Sequence, residues 1–197
     1  MKKIIIISVI VFSFIVGSAY AYQEQQTGGK DYQLAISEAD YIIFDDLTEI
    51  EKYSQYIILG KFTGNRSLKM WEAEDDVKMA SKSEVQIKRV YGGDLAEGQM
   101  INIYEPAFFQ DDVFDTMEGY NLMNEEGEYV LFLRGTSDGD AFAIIGMYQG
   151  KYDISTSKLA RQAQNGEKYQ DVADLEYFGD NVKHFNERKQ EVLKKYK

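Results

Sequence analysis

Glu128-Tyr129-Val130-Leu131-Phe132-Leu133-Arg134 is the stretch on which the fold turns. Its apolar run, Tyr129 to Leu133, is of strand length and is bounded by charged residues, with no polar position left to face water. A strand of this kind is covered on both faces. Ser137-Asp138-Gly139-Asp140 follows as a hairpin signal. The reading places the returning strand at Ala141 to Tyr148 and a short extra strand at Gly150 to Ile154.

Upstream, Tyr56-Ile57-Ile58-Leu59-Gly60-Lys61-Phe62 is a second compact apolar run, within a strand read from Ser54 to Thr63 and broken by Gly64-Asn65. Val77, Met79, Ser81, Ser83, Val85 and Ile87 then share one face at period two. Val90 falls out of phase, which predicts a β-bulge near Lys88-Arg89. After the Gly92-Gly93-Asp94 turn, Met100 to Glu105 forms a third strand with Ile101 and Ile103 inward, and Pro106 ends it. Phe108 to Glu126 is irregular, with a short helix expected near Asp111 to Met117. Asp46-Leu47-Thr48-Glu49 reads as a helix start that buries Leu47 and Ile50. From Asp180 to Lys197, Val182, Phe185, Val192, Leu193 and Tyr196 form one apolar stripe, and lysines gather at the helix end.

Five strands with an irregular connection between the third and fourth give a mainly β chain. The order is that expected of a five-stranded OB-type β-barrel with flanking short helices and a C-terminal amphipathic helix. A β-sandwich would need more strands. Composition agrees, with 15 Tyr and 11 Phe against one Pro.

The N-terminus reads Met1-Lys2-Lys3, an apolar run from Ile4 to Val16, and Gly17-Ser18-Ala19-Tyr20-Ala21. These are the three parts of a secretory signal, with cleavage expected after Ala21 and an uncleaved anchor as the competing outcome. The expected organisation is a signal at 1–21, a flexible lead at 22–45 and one domain at 46–197. The expected location is secreted or extracytoplasmic. With no Cys in the chain, disulfides are excluded. Lys2 and Lys3 are the only charges in the leader, so its loss takes the formal net charge from −11 to −13. From Lys183 to Lys197 six basic residues face two acidic ones, which concentrates the acidity in the body. Such a body repels phosphate backbones, and nucleic acid is not an expected partner.

Ser54 to Gly60, Val85 to Asp94, Gly127 to Leu133 and Gly150-Lys151-Tyr152 together resemble the strand motifs of a loose group of exported Gram-positive bacterial proteins. The match covers about Ser54 to Ile154. It is also similar to the OB-type barrel of netrin-like and tissue metalloproteinase-inhibitor domains. In two respects the chain departs from the group: Tyr91-Gly92 stands where a Lys-Gly step is usual, and the spacing after the third strand is long. The resemblance implies a fold and carries over no functional residue, because those inhibitors act through an N-terminal Cys that this chain lacks.

No catalytic constellation is legible. His184, the only histidine, lies on the C-terminal helix, where a helix-surface role is expected. With one His and no Cys, neither a cofactor nor a transition-metal site is expected. Acidic clusters at 72–76, 111–115 and 138–140 lack EF-hand spacing. Trp71, Tyr104, Phe108 and Phe109 flank strand ends, where binding proteins place stacking rings. They are the candidate ligand-binding residues, although Phe108 and Phe109 could instead cap the open end of the barrel. The expected function is a non-enzymatic binding or interaction module at the cell surface or wall zone, with a protein or cell-wall ligand. The membrane is expected to matter only through an uncleaved signal. A secreted hydrolase or a calcium-dependent protein using carboxylates is the alternative.

Overall fold

Strand β7, Tyr129–Gly135, is buried from Tyr129 to Leu133, as an apolar run without a polar face requires. The computed structural model describes residues 31–197 except 74 and 75. The expected leader at 1–21 and the lead as far as residue 30 lie outside the described residues. In the described part the chain is mainly β. Its strands are β1 (Gln33–Ser37), β2 (Tyr56–Ala73), β3 (Asp76–Gly92), β4 (Met100–Glu105), β5 (Ala107–Gln110), β6 (Val113–Met117), β7, β8 (Phe142–Ile144) and β9 (Lys151–Asp153). Its helices are α1 (Leu47–Tyr53), α2 (Tyr169–Val172) and α3 (Val182–Tyr196), with a 3-10 turn at Met147–Gly150.

The pairings close on themselves. β2 pairs with β3, β3 with β4 and β7 with β8, all antiparallel; β4 and β8 run parallel, and β7 returns antiparallel to β2. Inside this ring sit Ile58, Phe62, Val85, Ile87, Ile101, Ile103, Tyr129, Leu131 and Leu133. Gly60 faces the same interior, where a Cβ would stand 2.5 Å from Val85 Cγ1. The alternate residues of β7, Val130 and Phe132, point outward into a second core with Tyr148, Tyr152, Tyr177, Phe185, Val192 and Tyr196. Helix α3 covers that outer face. Asp46 caps α1 by accepting the Glu49 N–H at 2.8 Å, and Leu47 and Ile50 are the residues α1 buries.

Several expectations are corrected. There are nine strands among the described residues rather than five. β1, inside the segment expected to be a flexible lead, pairs in parallel with β6 across Gln33–Ser37, and Tyr32 and Phe44 beside it are buried. The helix expected at 111–117 is a hairpin: β5 and β6 pair antiparallel around Asp111-Asp112, with Asp111 at φ 52°. Burial alternates along β6, with Phe114 and Thr116 inward, and the β-branched Val113 and Thr116 favour the extended form. The strand expected at Ala141 to Tyr148 stops at Ile144, where the chain turns through Gly146 at φ 61°.

Gly64-Asn65 bends β2 without ending it. Three residues of β2 oppose Glu84 alone between the Phe62–Val85 and Arg66–Ser83 pairs. Glu84 Oε1 accepts from Thr63 Oγ1 at 2.9 Å and from Asn65 Nδ2 at 3.0 Å, and Gly64 takes φ 90°. The side chain of the partner strand thus satisfies the bulge. A further bulge at Lys88 lies where the phase break predicts one: Leu59 pairs with Arg89 and Gly60 with Ile87.

Candidate ligand-binding face

β2 touches β7 only over Tyr56–Gly60, and β3 touches β4 only over Ser81–Gln86. Beyond these contacts, residues 69–73 of β2 and 76–80 of β3 pair only with each other among the described residues, and they project as a two-stranded ribbon. A two-stranded ribbon is marginal by itself in water. Its base is therefore where anchoring groups are needed, and they are present on both faces.

On the inner face, Arg66 runs from the ribbon base into the ring. Its Nη2 lies 3.0 Å from Glu105 Oε2 and 2.6 Å from the Met123 carbonyl, and its Nε donates to Ser83 Oγ at 2.8 Å. The Glu105 carboxylate, fully buried, also accepts from the Ser83 hydroxyl, from Tyr120 at 2.8 Å and from the Met123 N–H at 2.8 Å. Each oxygen of the buried carboxylate is thus satisfied, as burial of a charge demands.

On the outer face, register places Lys82 opposite Tyr104. The Trp71 ring stands edge-on to Tyr104, with centroids 4.9 Å apart and an interplanar angle of 81°. The β7–β8 turn reaches the same place. Asp140 joins Lys82 at 2.6 Å and Lys69 at 3.2 Å, and the Tyr104 hydroxyl lies 3.1 Å from a carboxylate oxygen of both Asp138 and Asp140. Asp138 in turn accepts from the Thr136 hydroxyl at 2.6 Å and from the Asp140 N–H at 3.1 Å, and Gly139 turns at φ 65°. The lysine contacts hold the Asp140 carboxyl down to about 2, Lys82 contributing most. Asp138 is lowered as well, first by the Thr136 hydroxyl. The Tyr104 phenol is pushed up, mainly by burial and then by hydrogen bonding to the carboxylates of Asp138 and Asp140. The result is a half-buried indole on a charge-balanced rim of two lysines and two aspartates.

Of the four ring residues expected to bind, the structure brings Trp71 and Tyr104 together. Tyr104 is itself mostly covered, so Trp71 supplies the accessible ring. Phe108 and Phe109 are corrected: they lie in β5, where Phe108 is buried and Phe109 packs against Tyr32, Phe114 and Tyr169 at centroid distances of 4.7, 4.7 and 5.1 Å. Sequence reading missed Lys69 and Lys82 as members of the site. No local signal marks them, because strand pairing alone brings these lysines to the two aspartates of the turn.

His184 Nε2 lies 2.9 Å from the Phe44 carbonyl and Nδ1 lies 3.5 Å from the Tyr148 hydroxyl, so the ring ties α3 to the segment before α1. Beside Asn121, Lys151, Asp153, Glu176 and Lys189 there is a crevice of about 40 Å³. A space of that size holds one or two waters. Lys189 pairs there with Glu176 at 2.6 Å, and Lys151, held low by burial, donates to the Asn121 carbonyl. Among the described residues, no group of three or more His, Cys, Asp or Glu is arranged to hold a metal ion. Comparison with protein-family models, with curated proteins and with solved structures gives no match to this chain.

Proposed function

We propose that this chain is an exported, non-enzymatic binding module of the cell surface or wall zone, built on an OB-type barrel, with its ligand seated against Trp71. Support for the barrel comes from the closed order β2-β3-β4-β8-β7 with its single parallel pair, β4 with β8. In OB-type barrels the face of the second and third strands, with the loops joining strands one to two and four to five, takes oligonucleotides or oligosaccharides. Here those parts correspond to β3 and β4, the ribbon, and the β7–β8 turn.

The observation that carries the reading is the convergence of those parts on one aromatic ring. Trp71 from the ribbon, Tyr104 from β4 and Asp138 and Asp140 from the turn meet within hydrogen-bonding or ring-contact distance. A saccharide suits such a face, since an indole offers an apolar stacking surface and the carboxylates and ammoniums offer directional partners for hydroxyls. The strongly acidic chain disfavours a nucleic acid at the same place.

Titration of isotopically labelled protein with solubilised cell-wall glycan fragments tests this. Amide shifts are expected to change at Lys69, Trp71, Lys82, Tyr104 and Asp138 to Asp140, and Trp71→Ala is expected to abolish them. Shifts confined to other residues, or undiminished in the Trp71→Ala protein, would remove this face as the site.

A further inference from the structure

The C-terminal ends of α1 and α3 meet. Lys195 Nζ lies 2.7 Å from both oxygens of Glu51, and the Tyr196 hydroxyl donates to Glu51 at 2.7 Å. Tyr91 of β3 joins them, its ring 4.7 Å from that of Tyr196 and its hydroxyl 3.2 Å from the Tyr196 carbonyl. The Arg89 guanidinium lies 6.0 Å over the Tyr91 ring. Three elements far apart in sequence thereby bring Arg89 and Lys195 together, and Lys52, Lys88, Lys194 and Lys197 are their exposed neighbours in sequence, with the Lys88 ammonium donating to Gln86 Oε1 at 2.7 Å. Glu51 is the acid bonded into this group, while Asp94 and Glu97 stand in the turn after β3. Lys52, Arg89, Lys194 and Lys197 have no ion-pair partner among the described residues.

A protein of net charge −11 gains nothing in solubility by gathering unpaired cations at one end. Lysines at a helix C-terminus favour the dipole, which accounts for those of α3 and for Lys52. It does not account for Lys88 and Arg89, which come from a strand. Beside Lys52, Tyr53 is 54% exposed, an amphipathic ring of the kind that sits at a lipid headgroup boundary.

We propose that this basic end docks on an anionic phospholipid surface, independently of any N-terminal anchor and of the Trp71 face. Complementary charge supplies the attraction, and the exposed tyrosine favours a lipid boundary over a soluble polyanion. The contact orients the molecule, with its acidic body held away from the membrane.

The test is flotation of the protein from Tyr22 to Lys197, the form left by cleavage after Ala21, with vesicles of phosphatidylglycerol in phosphatidylcholine, against vesicles of phosphatidylcholine alone. Binding is expected to require phosphatidylglycerol and to fall as salt rises. The Arg89→Glu/Lys194→Glu/Lys197→Glu protein is expected to lose it, at roughly fivefold per charge removed. An unchanged melting temperature would show that the variant is folded. Should it fail to fold, Lys52→Gln/Lys88→Gln is expected to weaken binding in the same direction. Equal binding to both vesicles, or retention by folded variants, overturns the proposal. Binding of soluble polyphosphate without binding of phosphatidylglycerol vesicles also overturns it.

Discussion

Asp140 shows how much one residue's role depends on register. In the sequence it is half of an Asp-Gly-Asp turn; in the fold it is the acceptor for two lysines from two different strands. Its carboxyl, held at about 2 instead of near 3.8, makes a favourable contribution that is complete above pH 4 and disappears as the pH falls through 2. An NMR pH titration of the side-chain carboxyl is expected to show a midpoint near 2 in the native protein and a higher one in Lys82→Met, where Lys69 and Tyr104 still hold it below the ordinary value; an ordinary midpoint in the native protein would mean that the turn does not bind the ribbon. Glu105 belongs to the same scale. Glu105→Ala leaves Arg66 buried beside no acid, and the expected loss is about 3–5 kcal/mol in denaturant unfolding. Arg66→Met combined with Glu105→Leu is expected to recover much of that loss. Trp71 and Tyr104 were visible as candidates in the sequence because bulky rings at strand ends stand out. Lys69 and Lys82 were not, because which lysine meets which aspartate is decided by pairing between residues some 60 to 70 positions apart. Phe108 and Phe109 misled for the converse reason: the hydrophobicity that marks a binding ring equally marks a core ring, and only the partner sheet distinguishes them.

At the scale of elements, the segments read most securely were those with unbroken patterns. β7, β4 and the C-terminal helix fall where their periodicity puts them, and α3 buries Phe185, Val192 and Tyr196 of the expected stripe. Phe185 stacks at 5.0 Å on Tyr177 and 5.4 Å on Tyr152, so α3 is part of the outer core and not a free tail. Phe185→Ala is expected to cost about 3–5 kcal/mol, and Phe185→Asp to prevent soluble expression. A melting temperature within a degree of the unaltered protein would contradict the packing. Elements were misjudged where a local breaker was answered by a distant group. Gly64-Asn65 looked like a strand end, and Glu84 from the next strand holds it open as a bulge. The segment from Asp111 to Met117, expected to hold a short helix, is the turn and second strand of a hairpin. β1 carries only a short alternation, Leu34 and Ile36, and gains its place from its parallel pairing with β6.

For the whole molecule, a two-sided core explains the arrangement. β7 has to bury both faces; the ring takes Leu131 and Leu133, and α3 with the tyrosine layer takes Val130 and Phe132. That leaves the outer face of β3 and β4 around Lys82 and Tyr104, with the ribbon, without a packed helix among the described residues. The proposed export and the proposed glycan ligand rest on the leader-like N-terminus and on the chemistry of that face. The chain contains one tryptophan, and it is Trp71. Fluorescence excited at the red edge of the absorption band, where the indole absorbs and the 15 tyrosines do not, therefore reports on the proposed site alone. Titration of the folded protein with cell-wall glycan fragments is expected to give a saturable change in emission, lost when Lys69 and Lys82 are both replaced by Ala. Saturable binding of the same fragments, measured by calorimetry, with no change in Trp71 emission would show that the ligand sits elsewhere.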